Sequence, residues 1–125
     1  MTKKVLLIDD DLDIQEITQI VIRKIAGWTG ISATTGIEGL QKAKTELPDA
    51  ILLDISMPDM DGFQVFEQLQ ADPVTRSIPV ILLTAKTSHS DRDRFAEMAI
   101  AGVISKPFDP VTLWQQVATF LGWPL

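Results

Sequence analysis

The chain has 125 residues, of which 46% are hydrophobic and 22% are charged, and its net charge is −6. This length suits one domain of roughly 100–150 residues with its own hydrophobic core, so we predict a single domain over residues 1–125. A pI near 4.6 argues against nucleic-acid binding, which usually needs a basic face. No apolar run approaches the roughly 20 residues of a membrane span. We therefore expect neither nucleic acid nor a membrane among the partners.

The chain contains no cysteine, which excludes disulfides, thiolate metal sites and cysteine nucleophiles. Its first four residues lead straight into a short apolar run. That run is too brief for a secretory signal peptide and lacks a small-residue cleavage site. We therefore expect a cytoplasmic protein.

Short apolar runs alternate with amphipathic segments five times along the chain. The runs predict strands at 5–8, 28–34, 51–53, 80–83 and 102–105. The first helix is predicted from a stripe at helical spacing, Ile14, Ile17, Val21 and Ile25, and Gly27 is placed to end it. The second is predicted from Thr35 to about Glu46, with Thr35 and Glu38 in the pattern of a capping box.

Three further helices follow the last three strands. The third has its apolar face at Phe63, Phe66 and Leu69, behind Asp61 and Gly62, and residues 71–78 are predicted as a loop. The fourth is predicted to carry Phe95, Met98 and Ala99. The fifth begins after Asp109 with Pro110 at its first position and ends at Gly122, with Leu113, Trp114, Val117, Phe120 and Leu121 on its apolar face. We expect Trp114 to mark a contact surface if it is partly exposed.

Five such units with short connections and right-handed crossovers predict a doubly wound α/β fold, a five-stranded parallel sheet in the order 2-1-3-4-5. In this order the first and third strands are neighbours, which brings Asp9, Asp10 and Asp54 together at the sheet's carboxyl edge. Thr84 and Lys106 follow the fourth and fifth strands. We therefore expect all five residues on one rim.

Three carboxylates in one pocket repel each other. At about 4 Å, two like charges cost roughly 1 kcal/mol in water and several-fold more at an effective dielectric near 20, so the cluster favours protonation or a cation. Mg²⁺ prefers oxygen ligands and suits an acid cluster that has no Cys or His. The alternative is that residues 9–11 form only a solvated loop with a helix cap.

The segment Ile51-Leu-Leu-Asp54-Ile-Ser56-Met-Pro-Asp-Met-Asp-Gly62 closely resembles the phosphoacceptor segment of response regulator receiver domains, the CheY-like proteins of two-component signalling. The resemblance spans essentially the whole chain. The acid pair Asp9 and Asp10, the Asp54 segment, Thr84-Ala85 and the segment 105–108 follow in the family's order and spacing. It implies the CheY-like, flavodoxin-like fold and a phosphorelay function.

The resemblance also implies a role for each matching residue. Asp54 is the nucleophile that takes a phosphoryl group from a phosphohistidine, and Mg²⁺ is held by Asp9 or Asp10, by Asp54 and by the backbone carbonyl of Ser56. Lys106 pairs with the phosphoryl group, and Thr84 donates a hydrogen bond to it. Ala85 leaves room for the donor, and the Lys106–Pro107 bond is expected to be cis.

The partners implied by the resemblance are a sensor histidine kinase or a histidine phosphotransfer protein. A downstream effector is expected, but nothing in the chain identifies it. A homodimer through the last two helices is a further expectation. Residues 122–125 contain no linker, so the chain is expected to be either a single-domain regulator acting by protein contact or a fragment of a larger one.

Three positions bear on how phosphorylation would be transmitted and reversed. At the position three residues before Lys106, most receivers have Tyr or Phe, whose rotation accompanies phosphorylation. This chain has Val103 there. A β-branched aliphatic side chain cannot reproduce that aromatic movement. Ser56 and Lys86 flank the path of attacking water in relatives, so we expect the hydrolysis rate to depend on them.

Three alternative functions compete with the receiver hypothesis. A haloacid-dehalogenase-type phosphatase would use Asp9 in an Asp9-x-Asp11 motif, but Asp13 stands where that motif needs Thr or Val. A flavodoxin is disfavoured because the first loop is acidic rather than a phosphate cradle. A phosphorylation-independent pseudo-receiver is disfavoured by intact Asp54, Thr84 and Lys106 and favoured by Val103.

Overall fold

The computed structural model describes residues 2–85 and 88–124, which form five parallel strands alternating with five helices. The strands are β1 (Lys4–Ile8), β2 (Thr29–Ala33), β3 (Ala50–Asp54), β4 (Val80–Thr84) and β5 (Gly102–Ser105). The helices are α1 (Leu12–Lys24), α2 (Gly36–Glu46), α3 (Gly62–Ala71), α4 (His89–Ala96) and α5 (Pro110–Leu121). The sheet order is β2-β1-β3-β4-β5, which confirms the predicted topology. Lys86 lies outside the described residues.

The strand register determines which side chains meet at the carboxyl edge of the sheet. Ile8 at the end of β1 is paired with Leu53, one residue before Asp54. On the other side, Asp54 is paired with Leu83, and Thr84 is paired with Ser105. The residues that end or directly follow β1, β3, β4 and β5 therefore lie along one rim, as the topology predicted.

Two hydrophobic cores lie on opposite faces of the sheet. Alternate strand residues such as Leu6 and Ile8 face α2, α3 and α4, and their neighbours Val5 and Leu7 face α1 and α5. All residues of β3 and β4 are buried. Burial on both faces explains why these strands are continuous apolar runs rather than alternating ones.

The buried face of α1 differs from the predicted stripe. Ile17 and Ile25 are about half exposed, and the buried residues of the helix are Gln15, Thr18, Val21 and Ile22. The helix ends at Lys24, and Gly27 follows in the left-handed conformation at φ +74°. The packing face is therefore rotated from the predicted stripe: Val21 belongs to both, but the polar side chains of Gln15 and Thr18 are buried beside it.

The caps of α2 and α4 also differ in detail from the predictions. Thr35 caps α2 by accepting a hydrogen bond from Glu38 N, but the Glu38 carboxylate accepts from Thr34 N at 2.7 Å, so the capping box is only half formed. Helix α4 ends at Ala96, so Met98 lies beyond it, and so does Ala99. Its last turn closes through i→i−3 bonds such as Met98 N to Phe95 O, at 3.0 Å.

Helix α5 begins and ends where predicted, between Asp109 and the left-handed Gly122. Leu113 and Val117 are buried, whereas Phe120 is 44% exposed. Trp114 is only partly buried, and its indole nitrogen is enclosed. Trp114 is therefore partly exposed, as the prediction of a contact surface required, although Val111 and Phe120 are exposed to a larger fraction.

Three tryptophans gather at the amino edge of the sheet. Trp28, which precedes β2, makes edge-to-face contacts with Trp114 at 6.2 Å and with Trp123 at 5.1 Å between ring centroids. The ammonium of Lys3 lies 5.0 Å from the Trp123 ring. This cluster joins α5 to the segment before β2.

Within the described ranges, each helix is too short or too polar to span a bilayer.

Candidate functional site

Three carboxylates meet beyond the ends of β1 and β3. Oxygen atoms of Asp9, Asp10 and Asp54 all lie within 4.8 Å of one another. Asp9 and Asp54 are buried, whereas Asp10 is exposed. The site thus has an interior part and a part open to solvent, as a cation with several bound waters would need.

Lys106 neutralises part of this charge from the end of β5. Its Nζ lies 2.9 Å from Asp9 Oδ2 and 3.3 Å from Asp54 Oδ1. Although burial acts to lower it, the pKa of Lys106 is raised by Asp9 and then by Asp54. The Lys106–Pro107 peptide bond is cis, as predicted.

Opposing electrostatic influences act on the pKa of the Asp54 carboxyl group. Burial, and then the Asp9 carboxylate, raise the pKa of Asp54 from 3.8 to about 6, while Lys106 and the Ser56 N–H act in the opposite direction. The Ser56 N–H donates to Asp54 Oδ1 at 3.3 Å. One lysine therefore leaves the negative charge incompletely compensated, and a hard divalent cation fits this all-oxygen donor set.

The chain matches the family model for the response regulator receiver domain over residues 5–118. It belongs to the receiver domain family. It is 31% identical over 123 residues to the polar-differentiation response regulator DivK from Brucella ovis, with 98% of both chains covered. It spans only 27–48% of the length of several other curated response regulators that it matches.

Two solved structures show the same fold. The chemotaxis protein CheY4 of Vibrio cholerae superposes with a TM-score of 0.88 at 28% identity, covering 96% of this chain and 99% of that one. The receiver domain of the sensor histidine kinase PA1611 from Pseudomonas aeruginosa has a TM-score of 0.84 at 25% identity, covering 98% and 99%. That structure contains a magnesium ion coordinated in its active-site cleft.

Thr84 and Ser56 lie at the rim of the receiver's acid pocket, and Val103 lies away from it. Thr84 is the buried last residue of β4, and its carbonyl accepts from Lys106 N at 2.8 Å. Ser56 is exposed at the start of the loop after β3. Val103 is partly buried in β5, opposite Leu82, and packs against the core under α3 and α4. Val103 is therefore part of the packing beneath these helices.

Gln15 supports the receiver's site and was missed in the sequence. Its side-chain amide lies within 2.9–3.1 Å of the carbonyls of Leu7, Asp9 and Ala33, and it is buried. These carbonyls lie at the carboxyl ends of β1 and β2, and that of Ala33 also accepts from Asp9 N at 3.0 Å. The clue in the sequence was the spacing of Gln15, Thr18 and Ile22, which share one face of α1.

An apolar groove of about 470 Å³ opens beside the acid pocket. It lies between α1 and the segment after β5, and Ile14, Ile17, Ala85 and Phe108 contribute to its lining together with Lys106. Ala85 is exposed. The small side chain after Thr84 therefore leaves an approach to the receiver's carboxylates.

Proposed function

We propose that this receiver domain accepts a phosphoryl group on Asp54 from the phosphohistidine of a sensor histidine kinase or a histidine phosphotransfer protein. The observation that carries the proposal is the position of the Asp54 carboxylate, 3.3 Å from the Lys106 ammonium and beside two further carboxylates. In the transfer, an oxygen of Asp54 forms a bond to phosphorus as the bond from phosphorus to the histidine nitrogen breaks. The imidazole leaves, and the product is an acyl phosphate.

The residues around Asp54 can align the donor and neutralise charge, which are the main demands of phosphoryl transfer. Lys106 pairs with a phosphoryl oxygen after release from the carboxylates, and the Thr84 hydroxyl donates to another. Asp9 or Asp10, Asp54 and the Ser56 carbonyl would hold Mg²⁺. When bound, Mg²⁺ supplies positive charge to the phosphoryl oxygens. The magnesium ion in the receiver domain of PA1611 supports this assignment.

The groove beside Ala85 is proposed as the approach for the phosphohistidine donor. Exposed apolar side chains continue from it along α1, with Leu12 at 69% and Ile17 at 51% exposure. Such a surface suits a partner that contributes apolar residues. We propose that this exchange takes place in the cytoplasm.

We propose that phosphorylation changes the affinity for an effector. Val103 and the elements around it would transmit the change, in place of the Tyr or Phe that most receivers have at this position. Exposed Val111 and Phe120 on α5 support protein contact through the last two helices, including a homodimer. Sedimentation with and without acetyl phosphate tests the dimer, and unchanged mass in both states would exclude it.

One feature argues against the phosphatase alternative. Both oxygens of Asp9 are engaged, since they accept from the Asp11 N–H at 3.0 Å and from Lys106 at 2.9 Å. In Asp54, by contrast, the Ser56 N–H and Lys106 both contact Oδ1. Asp54→Asn should therefore abolish labelling, whereas a phosphatase acting through Asp9 would keep it.

The test is the intact mass after incubation with acetyl phosphate, with and without Mg²⁺. We expect a Mg²⁺-dependent gain of one phosphoryl group in the wild type and none in Asp54→Asn. Asp49→Asn is the matched control, because Asp49 accepts from Lys4 N at the opposite edge of the sheet. No gain in the folded wild type from either acetyl phosphate or a phosphorylated kinase would favour the pseudo-receiver.

A further inference from the structure

The loop from β3 to α3, residues 55–61, carries Ser56, whose carbonyl is a proposed Mg²⁺ ligand. Near the sheet, this loop is held by backbone bonds from Ile55 N to Leu83 O at 3.3 Å and from Gly62 N to Ile55 O at 2.7 Å. The Met57 side chain is buried in the core. The inner end of the loop is therefore attached to the sheet and to the start of α3.

The outer part of the loop is attached to a different element by Asp59. Both oxygens of Asp59 lie 3.1 Å from Gly36 N, and one lies 3.4 Å from Ile37 N. These are the first two residues of α2. A carboxylate is favourable at a helix N-terminus, where the N–H groups have no partner within the helix.

The Asp59 contact adds to a cap that α2 already has from its own sequence. Thr35 already caps the helix from its own sequence, accepting from Glu38 N at 3.1 Å. Asp59 comes from 23 residues away and adds a second acceptor at the same terminus. The contact therefore joins the outer part of the loop to α2 as well as providing acceptors for the Gly36 and Ile37 N–H groups.

The helix approaches the loop closely because its first residue is glycine. A Cβ atom at Gly36 would lie 3.0 Å from the Met60 Cβ and 3.0 Å from the Val65 Cγ2. Both distances are shorter than ordinary van der Waals contact. An alanine there would push the loop away from α2.

We propose that Asp59 is a positioning residue, which fastens the β3–α3 loop to the start of α2 and so holds the Ser56 carbonyl where Mg²⁺ binds. This inference rests on the proposed function, because it assumes that Ser56 contributes to a metal site. Asp59 itself does not touch the ion. Asp59 restricts the conformations of the loop before Mg²⁺ binds, which raises the affinity of the site for Mg²⁺.

The test is a calorimetric titration of the unphosphorylated protein with Mg²⁺, which needs no phosphotransfer. We expect Asp59→Ala to weaken Mg²⁺ binding by about tenfold, the lower end of the losses seen when a ligand's support is removed. Asp59→Asn keeps one acceptor oxygen for the Gly36 N–H, so it should lose clearly less. Gly36→Ala should also weaken binding, although alanine favours the helix.

The matched control is Asp72→Ala, at the other end of α3. Asp72 also accepts from a backbone N–H, that of Val74 at 2.9 Å, and pairs with Lys44 at 3.3 Å. The Asp72→Ala variant should bind Mg²⁺ like the wild type, because the substitution removes the same charge at a position distant from the proposed metal site.

Wild-type affinity in both Asp59→Ala and Gly36→Ala would overturn the proposal. Equal losses in Asp59→Ala and Asp59→Asn, with both variants folded, would also overturn it, since the effect would then be that of charge alone. A wild type that binds no Mg²⁺ would overturn the metal site of the proposed function together with this inference. Tight wild-type binding with insensitive variants would overturn the positioning role alone.

Discussion

Replacing Asp54 with asparagine should stabilise the metal-free protein at neutral pH. The change keeps the size and shape of the side chain and removes the charge. In the folded state that charge is buried beside Asp9, and these two influences raise the pKa of Asp54 from 3.8 to about 6. The folded protein therefore holds this proton more tightly than the unfolded chain does.

The sign and size of the effect follow from that difference in pKa. Between about pH 4 and pH 6 the unfolded chain releases the Asp54 proton while the folded protein keeps it, so wild-type stability falls as the pH rises through this window. At about 1.4 kcal/mol per pKa unit, the upper limit is about 3 kcal/mol. Asp10 leaves one side of the pocket open to water, so we expect Asp54→Asn to gain about 1–3 kcal/mol at pH 7.

The assay is urea unfolding at several pH values from 4 to 8, in the presence of a chelator. The stability difference between the variant and the wild type should be near zero at pH 4 and reach a plateau above about pH 6. Adding Mg²⁺ should stabilise the wild type more than the variant and narrow the gap, because ligand binding favours the folded state. A variant less stable than the wild type at pH 7, or a gap of equal size at pH 4, would refute the reasoning.

Three further substitutions test the surroundings of the site by urea unfolding. Lys106→Met removes the cation shared by Asp9 and Asp54 and should cost about 3 kcal/mol at pH 7, because two buried carboxylates lose their partner. An unchanged stability would show that the two charges are compensated elsewhere. Gln15→Leu keeps the volume but leaves three backbone carbonyls at the ends of β1 and β2 without a side-chain donor. A cost of about 3 kcal/mol is expected, and a cost under about 0.5 kcal/mol would mean that water replaces the amide. Asp61→Ala removes the capping box of α3 and should cost about 1 kcal/mol, and no cost would contradict the assigned cap.

The strands could be predicted because a strand covered on both faces needs an apolar residue at almost every position, which gives a continuous apolar run in the sequence. Ile51 to Leu53 and Val80 to Leu83 are covered on both faces, so nothing polar interrupts them. The right-handed crossover rule then leaves few topologies. Asp9 and Asp54 meet because β1 and β3 are neighbours in that order, and the long side chain of Lys106 reaches both acids from the end of β5, across β4.

The packing face of α1 could not be predicted from hydrophobicity. Ile17 is more apolar than Gln15, yet Gln15 is buried and Ile17 is half exposed. Burial of the amide is favoured by the carbonyls that end β1 and β2. Those carbonyls are visible only when the strands are placed in the sheet.

Contacts between segments distant in the chain could not be predicted from the sequence either. The bond from the Gly36 N–H to Asp59 joins residues that are 23 positions apart and have no shared periodicity. Lys106 was expected on the same rim as the acids, but only the structure shows that its shorter contact is with Asp9 rather than Asp54. Such distances depend on loop conformation, which residue type alone does not determine.

The tryptophan cluster determines what intrinsic fluorescence can report about this receiver domain. Trp28 contacts Trp114 and Trp123 at the amino edge of the sheet, whereas the acid pocket lies at the carboxyl edge. A five-residue strand separates these edges by about 16 Å. An ion or phosphoryl group at Asp54 is too distant to quench these indoles by contact. Any change in emission on phosphorylation would therefore record a rearrangement carried through the domain, and an unchanged spectrum would mean that the surroundings of the three tryptophans do not change.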